Sequence, residues 1–380
     1  MIDCLDFFEA MKDKNLVFFT GVPDSLLKDI CACISDNAGP ENNIITANEG
    51  NAIALAAGYH LATGEIGAVY MQNSGQGNAV NPLTSLADPD VYGIPMLMII
   101  GWRGEPGEKD EPQHLKQGKI TLELLDTLNV PYAVLPKEPK KAKKVLGGAA
   151  DYMKDKKAPY ALIVRKGVFG TYVQRSGDVS AGGLLKEEAL KLVVGRIGKK
   201  DVIVSTTGTT SRELFEHRKK LKEGHDGDFL TVGSMGHASS IALGVALRKP
   251  ERDIYCLDGD GAAIMHMGAL AVIGDQCPRN LRHIIFNNGA HDSVGGQPTV
   301  GFRIDFPAIA MACGYKAAFR AETPADIEEK MSLLRGADGP VLLEIRVNKG
   351  SRKDLGRPSV SPAEGKKAFM DFLSERKDNR

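Results

Sequence analysis

The sequence predicts an α/β protein of two domains, each an open, mostly parallel sheet flanked by helices and with no third domain between them. Three observations carry that prediction. Apolar, β-branched runs recur along the 380 residues, with helical patterns between most of them. Glycines, asparagines and acids cluster where these runs end, and open α/β sheets bind ligands beyond the carboxyl ends of their strands. A Gly- and Ser-containing stretch over 166–183 reads as a linker that divides the runs into two sets. The domains are therefore expected at 1–175 and 176–380, each large enough for one sheet.

In chain order, MIDCLDFFEAMKDKN reads as an amphipathic helix with acidic residues. The first set of strands is NLVFFTGV, GAVYMQN, PMLMIIGW and YALIVRKG. After the first of these, ITANEGNAIALAAGYHLATG turns from an apolar strand to an Ala- and Gly-rich helix at Glu49, with Gly64 as its C′ residue. Basic KEPKKAKKVLGG reads as a solvated helix face. The second set is DVIVSTTG, DIYCLDGD, LRHIIFNNG and PVLLEIRVN, and EGKKAFMDFLSERKDNR closes the chain as an amphipathic helix with a frayed tail.

Composition excludes several function classes. Lysines plus arginines equal aspartates plus glutamates at 48 each, so no global field favours nucleic acid or an anionic membrane. There is no run of eighteen apolar residues and no cleavable apolar leader, so neither membrane spanning nor secretion is expected. Cys4, Cys31, Cys33, Cys256, Cys277 and Cys313 form no CxxC pair and no ligand-like cluster with histidine. They read as reduced, mostly buried thiols of a cytoplasmic protein, without a zinc site. His60, His217, His225, His237, His266 and His283 lack ligand spacing and read as structural; Trp102 lines the site or closes a strand.

Chemistry concentrates between Leu257 and Ser293. The run IYCL leads into Gly259 and Gly261, which let backbone N–H groups approach phosphate oxygens at a helix start. Asp260 and, after the next strand, Asn288 offer the hard oxygens that Mg²⁺ prefers. GDGAAI and GQGNAV lack the third glycine of the dinucleotide fingerprint, and no GxxxxGK[ST] loop occurs. Dehydrogenase and P-loop readings are therefore weak.

GDG followed by NN at this interval resembles the diphosphate and Mg²⁺ motif of thiamine diphosphate dependent enzymes, the family of pyruvate decarboxylase and acetolactate synthase. The resemblance implies Mg²⁺ ligation by Asp260, the Asn288 side chain and the Ala290 carbonyl. Gly261 and Ala262 would give backbone donors to the diphosphate, with Gly259 in the same loop and Thr209 of TTGTTSREL alongside. GSMGHASSIALGVAL is similar to the segment in which Gly233 would hold the aminopyrimidine amino group and Met235 would prop the cofactor into its V shape. Glu49 resembles the family glutamate that protonates the aminopyrimidine ring, leading to the C2 ylid and, after decarboxylation, an enamine. Burial is expected to raise its pKa.

The short linker resembles the smaller decarboxylases that act on phosphonopyruvate or sulfopyruvate. TGVPDSLL, MQNSGQGNAVNPLTSL and RGEPGEKDEPQH resemble both groups, while NNGAHDSVGGQPTVGF and NKGSRKDLGRPS resemble the phosphonopyruvate group. The resemblance implies a carboxy-lyase acting on a 2-oxo acid, in at least a homodimer whose subunits share each site. Asp24 and His114 are candidates for its protonation steps. His291 and Ser293 are candidate substrate contacts, and Arg352, Lys353 and Arg357 candidate phosphonate contacts. The alternatives are sulfopyruvate decarboxylation and a noncatalytic thiamine diphosphate binding subunit.

Overall fold

The computed structural model describes residues 1–175, 183–352 and 354–374. They form two compact units, Met1–Asp178 and Val179–Arg380. The first holds β1 (Phe19–Gly21), β2 (Asn43–Ile45), β3 (Gly67–Gln72), β4 (Met96–Gly101), β5 (Tyr132–Val134) and β6 (Tyr160–Val164). The second holds β7 (Val202–Ser205), β8 (Asp228–Leu230), β9 (Ile254–Gly259), β10 (Leu281–Asn287), β11 (Ala317–Ala321) and β12 (Val341–Arg346).

Among the described residues every pairing within these sheets is parallel. The orders are β2-β1-β3-β4-β6-β5 and β11-β12-β10-β9-β7-β8. Renumbered from its own first strand and read in reverse, the second order repeats the first. Both orders reverse direction beside their first strand, the kind of switch point at which α/β folds open a crevice.

Burial on both faces explains why the inner strands read as continuous apolar runs. Alternate residues of β3 serve two cores: Ala68 and Tyr70 pack with Phe7, Phe8 and Ile30, while Val69 and Met71 pack with Ile53, Ala56 and Met98. In β9, Tyr255 and Leu257 face one core, Ile254 and Cys256 the other. The edge strands β2, β5, β8 and β11 are only partly buried. Of these, the sequence reading anticipated β2 alone.

The terminal helices form at Cys4–Lys12, capped by the Asp3 side chain, and at Pro362–Ser374; the tail over 375–380 lies outside the described residues. No helix among the described residues is long and apolar enough to cross a membrane.

Two expectations need correction. The linker begins later than its composition implies, because residues up to Arg175 belong to the first unit. Phe169 packs edge-on against Phe7, Ile2 N donates to Val168 O while Ile2 O accepts from Gly170 N, both at 2.8 Å, and Tyr172 N donates to Asp29 Oδ1 at 3.1 Å. A cysteine does cluster with histidine: β9–β10 register sets Cys256 opposite His283, and with Asp258 their donor atoms lie within 4.8 Å. Strand pairing creates that neighbourhood across 27 positions of chain, which linear spacing conceals. All six cysteines are free thiols, four of them buried.

Candidate active site

In the first unit, the β2–helix transition places Glu49 at the first position of the helix Glu49–Thr63, where Asn48 caps by accepting from Asn51 N at 3.0 Å. A glutamate there usually lies in solvent and complements the helix dipole. Glu49 instead is 5% exposed. Asn78 Nδ2 donates to its Oε2 at 2.7 Å, and Gly75 packs so closely that a methyl group there would collide with the carboxylate. Burial pushes the Glu49 pKa up, against the opposing Asn78 hydrogen bond. It is a carboxyl held ready to carry a proton.

Asp24 and His114 gather around the Arg103 guanidinium. Arg103, after β4, makes a fork to Asp110, with Nε to Oδ2 at 2.8 Å and Nη2 to Oδ1 at 2.5 Å, while Nη1 donates to Ser25 Oγ at 2.8 Å. Asp24 is fully buried; its Oδ2 accepts from Leu26 N at 2.9 Å, and its Oδ1 has no hydrogen-bond partner. Burial raises its pKa to about 6, partly offset by the Leu26 N–H bond and the Arg103 charge. Burial and Arg103 lower His114 to about 4, so its imidazole is neutral at pH 7. Asp24 thus suits proton donation near neutrality, and His114 suits neutral hydrogen bonding. Trp102 is buried and donates to Gly118 O at 2.8 Å, which closes the strand end.

The raised Asp24 pKa has a stability consequence. A folded pKa above the unfolded value of 3.8 contributes stability that is complete below pH 3.8 and lost as pH rises through about 6. Above that window, ionised Asp24 costs on the order of 2–3 kcal/mol. Asp24→Asn is expected to gain stability relative to the natural chain between pH 4 and 7. Denaturant melts at the two pH values check this, and a difference that does not vary with pH contradicts it.

In the second unit, the ends of β7, β8, β9, β10 and β12 supply the candidate residues. The β9 strand runs through Gly259 into Asp260, which starts the next helix and is buried. Thr299 Oγ1 donates to Asp260 Oδ2, and the backbone N–H groups of Gly261 and Asn288 also serve the carboxylate. Burial nevertheless raises its pKa to about 6. Only neutral donors oppose that shift, which suits a carboxylate shaped for a cation.

Asn288 Oδ1 accepts from Ala290 N at 3.1 Å, and its Nδ2 donates to Asp292 Oδ2 at 3.2 Å. Ala290 bridges Pro298 through bonds made by its neighbours: Thr299 N to Gly289 O at 2.9 Å, and His291 N to Gln297 O at 2.8 Å. The Ala290 carbonyl is left outside that ladder.

The segment from Gly233 joins this edge directly. At Gly261 a methyl group would lie 3.1 Å from the His291 ring and 3.5 Å from the Met235 methyl, so the three meet closely and a side chain there would press on the imidazole. His291 is buried, which lowers its pKa to about 4 and keeps it neutral. Ser293 lies against Gly208, whose φ of 94° opens the helix Thr209–Leu221. Thr209 Oγ1 accepts from buried Lys186, which also pairs with Glu213 at 3.5 Å. The spacing 23 residues upstream gave no sign of Lys186.

Arg352 is placed differently from the expected phosphonate contact. Glu187 Oε2 at 3.0 Å, Glu216 and Asp354 at 3.2 Å surround its guanidinium. Three carboxylates occupy the fork, because folding brings two helices beside the segment after β12. Lys353 lies outside the described residues.

The comparisons with known proteins agree with this two-part layout. Residues 6–125 match the family model of the thiamine pyrophosphate enzyme N-terminal TPP binding domain, and residues 206–345 that of the C-terminal TPP binding domain. The chain is 36% identical to a phosphonopyruvate decarboxylase of Streptomyces viridochromogenes, covering 98% of this chain and 96% of that one. It is 35% identical to a phosphonopyruvate decarboxylase of Streptomyces hygroscopicus, covering 99% and 95%. A sulfopyruvate decarboxylase of Methanosarcina acetivorans is 26% identical, with 97% of each chain covered. The chain belongs to the thiamine pyrophosphate enzymes and, among them, to the family of the phosphonopyruvate decarboxylases.

Proposed function

We propose that this chain is a thiamine diphosphate and Mg²⁺ dependent carboxy-lyase that converts 3-phosphonopyruvate to phosphonoacetaldehyde and CO₂. The observation that carries the substrate is full-length identity of 36% to a phosphonopyruvate decarboxylase against 26% to a sulfopyruvate decarboxylase. Glu49, Asp260 and Asn288 support catalysis over a purely binding role. In this proposal the first unit is the pyrimidine-binding domain, and the second binds diphosphate and metal. The enzyme works as at least a homodimer whose sites combine the two units from different subunits. Free thiols on all six cysteines fit a reducing cytoplasm.

The residues at both edges fit the cofactor. The Asp260 carboxylate, the Asn288 side-chain oxygen and the Ala290 carbonyl are the proposed oxygen ligands for Mg²⁺. Gly259, Gly261, Ala262 and Thr209 bring backbone and hydroxyl groups to the diphosphate, with Gly233 and Met235 beside the rings. When bound, thiamine diphosphate supplies a carbon nucleophile and an electron sink for the departing carboxylate.

The protein's own work is positioning and proton management. Glu49 Oε2 is fixed by Asn78, and the buried carboxyl holds a proton for the aminopyrimidine N1′. Asp24 provides the proton delivered to the product carbon, and neutral His114 and His291 offer hydrogen bonds without adding charge. Ser293 is a proposed substrate contact. We assign Arg352 the task of holding the post-β12 segment in place.

³¹P NMR of phosphonopyruvate incubated with the purified chain tests the proposal. The expected result is a phosphonoacetaldehyde resonance that requires both thiamine diphosphate and Mg²⁺. Turnover of sulfopyruvate with none of phosphonopyruvate would favour the sulfopyruvate reading, and no turnover of either the noncatalytic one.

A further inference from the structure

With Arg352 enclosed by carboxylates, the segment after β12 still presents a cation at the ligand-binding edge of the second sheet. Lys349 follows the end of β12, whose Arg346 pairs with Asn287 at the end of β10. Lys349 is half-buried and its ammonium donates to Gly296 O at 3.3 Å; among the described residues this is its one hydrogen bond and no carboxylate pairs with it. An ammonium has three N–H donors. Two of them remain for a ligand.

The surroundings tie Lys349 to the candidate metal loop. Gly350 N donates to Asp292 Oδ2 at 2.8 Å, and that same oxygen accepts from Asn288 Nδ2 at 3.2 Å. Asp292 therefore staples the Lys349 segment to the asparagine that follows β10. Gly296 N and Val294 N both bond to His291 O, so the loop touched by the ammonium also carries the imidazole against Gly261. Apart from chain neighbours, a Cβ added at Gly296, whose carbonyl the ammonium touches, or at Gly350 would meet no atom within 4 Å. Open space thus borders a cation with no counter-ion among the described residues, and a partly desolvated charge is stabilised by an anion there.

We propose that Lys349 is the receptor for a phosphorus oxyanion at this edge, and that it selects substrates carrying one. The assignment deepens the decarboxylase reading and rests on it. Two sources share this chemistry, the phosphonate of the substrate and the diphosphate of the cofactor. An ammonium can hydrogen-bond either one.

The test compares full-length holoenzyme of the natural chain, Lys349→Met and Lys349→Arg. Each is assayed for kcat and KM on phosphonopyruvate and pyruvate, and titrated with thiamine diphosphate in saturating Mg²⁺. Phosphonopyruvate turnover by the natural chain tests the decarboxylase reading itself, independently of Lys349. Given that turnover, Lys349→Met is expected to lose roughly 10–100-fold in kcat/KM on phosphonopyruvate, mainly through KM. Pyruvate kinetics should hold steady, and Lys349→Arg should recover most of the loss. Weaker thiamine diphosphate binding by Lys349→Met, rescued by Lys349→Arg, would assign the oxyanion to the cofactor. Equal losses on both substrates with cofactor affinity intact, or no loss at all, would overturn the assignment.

Discussion

Glu49→Gln should bind thiamine diphosphate with near-natural affinity yet lose roughly 10²–10⁴-fold in decarboxylation, the range that one positioned acid–base group contributes. The substitution keeps the shape and the reach to Asn78 but removes the carboxyl whose pKa burial pushes up. In the proposed site, cofactor binding rests mainly on the second unit's edge, so affinity and rate should separate. Exchange of the cofactor C2 proton for deuterium, followed by quenched NMR, reads the step directly. Full exchange at the natural rate in the variant would remove Glu49 from the chemistry. Loss of cofactor binding would instead assign it a holding role.

The second large effect is expected at Asp260. Asp260→Asn keeps the acceptor for Thr299 but takes away the charge that faces the proposed cation. Removing a group that merely orients a metal ligand typically costs 10–100-fold in metal affinity; losing a charged ligand should cost roughly 10²-fold or more. Cofactor and Mg²⁺ should raise the melting temperature of the natural chain, since ligand at about 100 times its Kd adds about 2.7 kcal/mol. The variant should show little of that gain, while without ligands it should melt no lower than the natural chain at pH 7, since burial raises the Asp260 pKa to about 6 and ionising it costs stability. An equal gain in both proteins would show that Asp260 does not hold the metal.

How far the sequence reveals this architecture depends on burial. Inner strands such as β4, buried along its whole length, must be apolar throughout, so their runs stand out. The edge strands β5, β8 and β11 are partly exposed and lack such runs, and their pairing depends on neighbours far along the chain. The site divides in a similar way. Asp260 and Asn288 sit at strand ends, inside short patterns whose chemistry is local. Asn78, Thr299, Arg103 and Lys186 act through contacts 29, 39, 78 and 23 residues away. Folding alone discloses those partners. Arg352 shows the opposite hazard: a basic segment suggests an anion site until three carboxylates are found around its guanidinium.

Asp24 illustrates why position alone does not define a role. VPDS is an ordinary turn sequence, and its Oδ2 does bond Leu26 N as a turn residue would. Complete burial and an unpartnered Oδ1 add an energetic cost that a turn does not require. Such a cost at a ligand-binding edge points to function.

The most direct test of the central claim is kcat/KM for phosphonopyruvate, sulfopyruvate and pyruvate, measured side by side with saturating thiamine diphosphate and Mg²⁺. Phosphonopyruvate should rank first, by roughly 10²-fold over pyruvate, as expected when a charge-assisted contact to the phosphonate is missing from the smaller substrate. Sulfopyruvate ranking above phosphonopyruvate, or pyruvate equal to it, would contradict the claim.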